Sequence, residues 1–202
     1  MGIQERKERE REERRNLILQ AAEDIITREG LEGLSLRKIA ERIEYSPAAV
    51  YHYFNNKEDI LEQLLHRQYA DLLRTMGALK ETENPETKIA DLGRRYIHWA
   101  LKNPELYKVL IMSDSPHIVK GSSVLFRGAT RERPAMRLLA ETMKELTGRE
   151  DEEVELAAQM VWVTTFGLII RMITEETSPE QRRRLIDYHS EFTVKAVKAA
   201  LA

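Results

Sequence analysis

Tyr51, His52 and Tyr53 stand side by side in the segment SPAAVYHYFNNKEDIL, residues 46–61. Two phenolic hydroxyls and an imidazole donate and accept hydrogen bonds at neutral pH without a fixed charge. Phe54 follows directly, so four aromatic rings fall in about one helical turn and cannot all face a core. The outward rings suit contacts to phosphate oxygens and base edges, where short donors position a helix on a duplex.

Other chemistry is poorly provided for. The chain has no cysteine, which excludes disulfides, thiolate metal sites and cysteine nucleophiles. His98, His117 and Asp114 match no metal-ligand spacing, so no metal or cofactor is expected. There is no HExxH, phosphate-cradling glycine loop or serine–histidine–acid order, and the many carboxylates fall in charged runs that read as solvated helix faces. The chain is not expected to be an enzyme. Its 202 residues, a third of them charged and 42% apolar, suffice for a real core. A net charge of −2 gives no overall pull toward nucleic acid. The N-terminus is charged where a signal peptide is apolar, and no uninterrupted apolar run approaches membrane-spanning length, so a cytoplasmic protein without a membrane partner is expected.

The elements that must position these residues are helices. Asn84-Pro85, Asn103-Pro104 and Ser178-Pro179 each put a capping side chain before a first-turn proline, and Ser178 with Gln181 forms a capping-box pattern. Gly30, Gly121 and Gly148 follow helical runs, where a left-handed residue ends a helix cheaply. No sustained alternation of apolar and polar residues suggests strands. The expected helices are 9–29, 35–43, 47–53, 57–79, 86–102, 104–112, 131–146, 151–176 and 179–200, with a loop or short helix in 113–130. The fold is expected to be all-α. A short-helix domain at 1–56, opening with a charged arm over 1–10, precedes a long-helix domain at 57–202. Glu5/Arg9 and Glu10/Arg14 fall at i,i+4 in the leader ERKEREREERR, so the arm could extend the first helix. It reads either as a soluble arm or as a phosphate contact through Arg6, Lys7 or Arg9.

Residues 35–54 read as two helices and a turn. Ser35 caps the first, whose apolar side is Leu36, Ile39, Ala40 and Ile43. Ser46 caps the second, with Pro47 at its first position. Val50 and Phe54 share one face, while Ala48, Tyr51 and His52 point away and Ala49 and Tyr53 lie on the flanks. The two alanines let the helix start press close to a duplex, and their methyls suit a thymine methyl. Over residues 35–57 there are 4 basic residues against 2 acidic ones, a local positive balance in an acidic chain. Lys57 opens the following helix against its dipole, a placement that a phosphate would explain. Periodicity alone fits a three-helix packing motif with surface tyrosines equally well.

GLSLRKIAERIEYSPAAVYHYFNNKEDIL resembles the DNA-binding domain of the TetR family of bacterial transcriptional regulators. Ser35, Ile39-Ala40, Ser46, Tyr51, Phe54 and Lys57 fall on family positions, and the likeness extends over about residues 12–66. The resemblance implies an N-terminal three-helix helix-turn-helix domain, followed by a long-helix ligand-binding and dimerisation domain. It implies base-reading by Arg37, Ala48, Ala49, Tyr51 and His52, and phosphate contacts from Ser35, Ser46, Tyr51, Tyr53 and Lys57. Its implied partners are a double-stranded DNA operator, a second copy of the chain and a small-molecule effector, with release of a repressor from its operator as the mechanism. One departure stands out: the turn carries Glu44 where the family usually has glycine, and a positive φ there costs about 1–2 kcal/mol.

Helix 151–176 is almost wholly apolar from Ala157 to Ile173, so nearly every side needs cover. A partner chain supplies it if this helix and 179–200 pair with their symmetry copies in a four-helix bundle. Val161, Leu168, Met172, Leu185, Phe192 and Ala196 are the expected interface positions. Tyr96, Trp99, Tyr107, Met112, Phe126, Met136, Trp162 and Phe166 read individually as core. As a set they could line an apolar effector pocket, adaptable through methionine. Trp162, Phe166 and Gly167 resemble a tryptophan–histidine–glycine signature of one branch of the family, with Phe166 in the histidine's place.

Overall fold

The computed structural model describes residues 2–78, 84–112 and 123–202, with side chains as far as Val109 in the middle segment. Regular structure among the described residues is entirely helical: α1 (Ile3–Glu29), a 3-10 turn (Leu31–Gly33), α2 (Leu36–Arg42), α3 (Pro47–Tyr51), α4 (Lys57–Gly77), α5 (Pro85–Lys102), α6 (Pro104–Met112), α7 (Ala129–Glu132), α8 (Pro134–Thr147), α9 (Glu152–Thr174) and α10 (Pro179–Ala200). They form two compact units. One comprises the chain up to Tyr69 together with α6; the other comprises Ala70–Lys102 and Ser123–Ala202.

Several of the expected helix ends are set by the expected residues. Ser35, Ser46 and Ser178 each accept the third backbone N–H of their helix, and Asn84 Oδ1 accepts from Thr87 N at 2.8 Å. Gly30 and Gly148 follow α1 and α8 with positive φ; Gly121, like His117 and Asp114, lies outside the described residues. One expectation needs correction. The expected helix 131–146 is two elements, because Pro134 lacks the N–H that would continue α7 and holds Arg133 extended, then opens α8 from its first turn. The leader is helical from Ile3, as the i,i+4 spacing of its charges allows, and the ion pairs Arg6–Glu10 and Arg9–Glu13 lie along it.

The core of the first unit is built on α1. Ile18, Ala22, Ile25 and Ile26 are fully enclosed and pack with Ile39 and Ala40 of α2, Val50 of α3, Phe54, Ile60 and Leu64 of α4, and Leu106 of α6. Gln68 crosses from α4 and donates to Glu23 Oε1 of α1 at 3.1 Å, so its buried amide is satisfied.

In the second unit α5 is central, packing against α8, α9 and α10 through Ile89, Leu92, Tyr96, Ile97 and Ala100. One face of α9 holds the segment before α8 in place. Glu155 accepts from Gly128 N at 2.7 Å and from the Thr130 hydroxyl at 2.9 Å. One turn on, Gln159 donates to the carbonyls of Val124 and Phe126, each at 3.0 Å. The opposite side of α9 is uncovered: only 28% of its most apolar window is buried, in a helix long and apolar enough to cross a membrane.

Candidate nucleic-acid interface

The turn between α2 and α3 decides which side chains face out. Tyr45 N donates to Ala40 O at 2.9 Å and Glu44 N to Glu41 O at 3.3 Å. This double bond pattern closes a helix through a left-handed residue. Glu44 is that residue, with φ +58°, and no other non-glycine among the described residues has positive φ. The turn therefore keeps the geometry glycine would give, at the cost of a Cβ in a crowded conformation. The chain then enters α3 at Ser46, which caps it.

On α3 and the residues after it, Val50 is wholly buried and Phe54 is 1% exposed, whereas Tyr51 is 58% exposed. Ala48 and His52 are exposed and Ala49 and Tyr53 half-buried, in the order the helical spacing predicts. Tyr53 packs on the core, and its ring meets His52 edge-on at 5.2 Å. Arg37 is exposed on α2 and forms an ion pair with Glu41 at 3.2 Å, one turn away. Lys57 Nζ donates to the Leu31 carbonyl at 3.0 Å, which ties α4 to the 3-10 turn and occupies one of its three N–H donors. The helix dipole at the start of α4 is opposed by Lys57 but answered by Asn56, whose Oδ1 accepts from Asp59 N at 2.8 Å.

Two arginines that the sequence reading passed over complete this surface. Arg15 donates from Nη1 to the Tyr53 carbonyl at 3.1 Å and lies 4.6 Å over the Phe54 ring. The Tyr53 hydroxyl, with Tyr45 nearby, holds the exposed Arg14 guanidinium above its ordinary pKa. The signal was local: both sit one turn before Ile18, where the exposed leader becomes the buried stripe of α1.

In the second unit, Tyr96 is buried and stacks on Trp162 at 4.7 Å and on Trp99 at 6.4 Å. The Trp99 indole donates to Asp71 at 3.1 Å. Met136 is fully buried, Phe126 lies under the Arg133 guanidinium at 5.4 Å, and Phe166 is half-buried. Tyr107 is buried on α6, in the first unit; the Met112 side chain lies outside the described residues. An apolar groove between α9 and α10 is lined by Leu156, Met160, Val161, Phe192 and Ala196. Leu168 and Leu185 are half-buried, whereas Met172, expected at the interface, is 3% exposed and buried within the chain itself. His189 of α10 meets Thr165 of α9 at 2.9 Å, and its burial lowers its pKa.

Residues 18–64 match the family model for bacterial regulatory proteins of the tetR family, and residues 89–198 match that for the tetracyclin repressor-like C-terminal domain. An HTH-type transcriptional regulator of Haemophilus influenzae is 35% identical over 71 residues, which are 35% of this chain and 36% of that one. The alignments span between a quarter and a half of the curated relatives: 36%, 50% and 26% in three cases. A transcriptional regulator from Rhodococcus superposes with a TM-score of 0.69 at 18% identity, covering 91% of this chain and 95% of that one. A TetR/AcrR-family regulator from Thermobifida fusca does so at 0.64 and 19%, covering 90% and 97%.

Proposed function

The chain belongs to the TetR family of DNA-binding transcriptional regulators, and from that premise we propose that it acts as a dimeric repressor released from its operator by a small apolar or amphipathic ligand. The observation that carries the reading is the exposed face of α3: Ala48, Tyr51 and His52 outward, Val50 and Phe54 inward. Presented to a major groove, Ala48 and Ala49 meet base methyls and Tyr51 and His52 supply hydrogen bonds, with Arg37 reaching from α2. Ser35, Ser46, Tyr51 and Tyr53, within a DNA-reading domain at 1–56, and Lys57 immediately after it are the proposed phosphate contacts.

The dimer is proposed through α9 and α10. Leu156 and Met160 on α9 and Phe192 on α10 are each 53% exposed around one groove, too much apolar side chain to leave in water. A second copy covers the groove with the same residues, through a two-fold axis. A two-fold dimer of such readers is proposed to address two half-sites one helical turn apart, about 34–36 Å. The effector is proposed to bind within the second unit, among Tyr96, Trp99, Phe126, Met136, Trp162 and Phe166. Release is a linkage effect: a ligand that binds one subunit geometry better depopulates the geometry that fits successive major grooves.

The test is duplex binding, by fluorescence anisotropy, to the promoter DNA beside the gene, with wild type, Tyr51→Ala and His52→Ala. Loss of about 1–3 kcal/mol per variant, confined to the preferred sequence, is the expected result. Unchanged binding in both variants would overturn the α3 assignment. Met160→Glu with Phe192→Glu is expected to yield monomers on sedimentation; an intact dimer would place the interface elsewhere.

A further inference from the structure

The leader helix segregates its charge by face, and the segregation was not visible as composition. Arg6 and Arg9 are paired with Glu10 and Glu13. Lys7, Arg11 and Arg14 are exposed, and none of them forms an ion pair among the described residues. At 100° per residue these three fall within about 60° of one another and in line with Ile18, Ala21 and Ile25. Those three are buried against the rest of the first unit. The basic row is therefore the continuation of the buried stripe, on the side of α1 that faces α2 and α3. Arg15, next in the chain to Arg14, marks the junction by its hydrogen bond to the Tyr53 carbonyl, two residues beyond the end of α3.

We propose that the first four turns of α1 form a second DNA-contacting element, in which Lys7, Arg11 and Arg14 bind backbone phosphates beside the groove that α3 enters. The inference rests on the DNA-binding reading of α3 and adds a separate surface to it. Lys7 and Arg14 are about 10 Å apart along the helix, against about 3.4 Å of duplex axis per phosphate on one strand, so the row spans two or three phosphates. The Arg6–Glu10 and Arg9–Glu13 pairs serve a different end: they stabilise the helix so that the row is presented as a rigid edge. Such contacts carry no sequence information; they raise affinity and its dependence on salt.

The experiment compares wild type with Lys7→Ala/Arg11→Ala, two exposed side chains that make no hydrogen bond or ion pair among the described residues, and with Tyr51→Ala. Binding is measured from 50 to 200 mM salt on a long duplex and on one trimmed to the α3 footprint. Each lost phosphate contact lowers the slope of log affinity against log salt by about 0.9. The double variant should therefore lose about 2 in slope per bound subunit. Its deficit should shrink about tenfold between those salt concentrations, keep the same sequence preference, and vanish on the trimmed duplex. An unchanged slope in the double variant, with Tyr51→Ala still impaired, overturns the proposal and leaves the α3 reading standing; so does a double variant that loses only an acidic protein partner. If wild type binds no duplex at all, the α3 reading fails first and the proposal falls with it.

Discussion

Replacing Glu44 by glycine should stabilise the protein. Glu44 occupies the left-handed position of the α2–α3 turn at φ +58°, where a Cβ costs about 1–2 kcal/mol. Glycine removes that cost but returns about 0.5–1 kcal/mol through the greater freedom of the unfolded chain. The expected net gain is about 0.5–1 kcal/mol. With a urea m-value near 2 kcal/mol/M, the unfolding midpoint should rise by about 0.25–0.5 M without a change in m. Glu44→Ala is the control, because it removes the carboxylate and retains the Cβ. Both variants take an acid away from the proposed phosphate path and should bind duplex more tightly at low salt; only glycine should raise the urea midpoint. A glycine variant that is no more stable than the alanine variant would refute the strain argument and leave charge as the whole effect. The turn survives glutamate because the two hydrogen bonds from Glu44 N and Tyr45 N, and the burial of Ile39 and Ala40, outweigh the strain.

Phe54→Ala should cost about 3–5 kcal/mol, since the ring is 1% exposed and carries the Arg15 guanidinium; chemical denaturation followed by circular dichroism reads it. Gln159→Leu strands the Val124 and Phe126 carbonyls that its amide now serves, with an expected loss of about 1–3 kcal/mol and faster tryptic cleavage after Arg127. His189 makes stability depend on pH. Its Nε2–H donates to the Thr165 oxygen, because the Thr165 hydroxyl proton is already given to Val161 O at 2.7 Å. Burial lowers its folded pKa below the unfolded value of about 6.5, so the unfolded state binds the proton first. Stability is thus fully present above about pH 6.5 and declines as pH falls toward the folded pKa. His189→Gln should flatten that part of the urea-midpoint profile, and an unaltered profile would assign the dependence to other groups.

What the sequence determined by itself is what depends on neighbours one helical turn away. Helix caps at Ser35, Ser46, Asn84 and Ser178, the inward Val50 and Phe54, the outward Tyr51, and the uncovered face of α9 all follow from 3.6-residue spacing and from which side chains can take an orphan N–H. The break at Pro134 was equally local and is readable from its missing donor. Pairings between distant segments were not legible. Arg15 reaches Tyr53 across 38 residues, Lys57 reaches Leu31 across 26, and Gln159 reaches Val124 across 35. Periodicity says which face of a helix is buried but not which helix lies against it. Thus only the tertiary structure could turn Lys57 partly inward, bury Met172 within the chain itself and bring Arg14 to the edge of the α3 surface. The leader shows the division most plainly: its alternating charges promise a helix, but the packing of α1 decides which side of that helix continues the buried stripe.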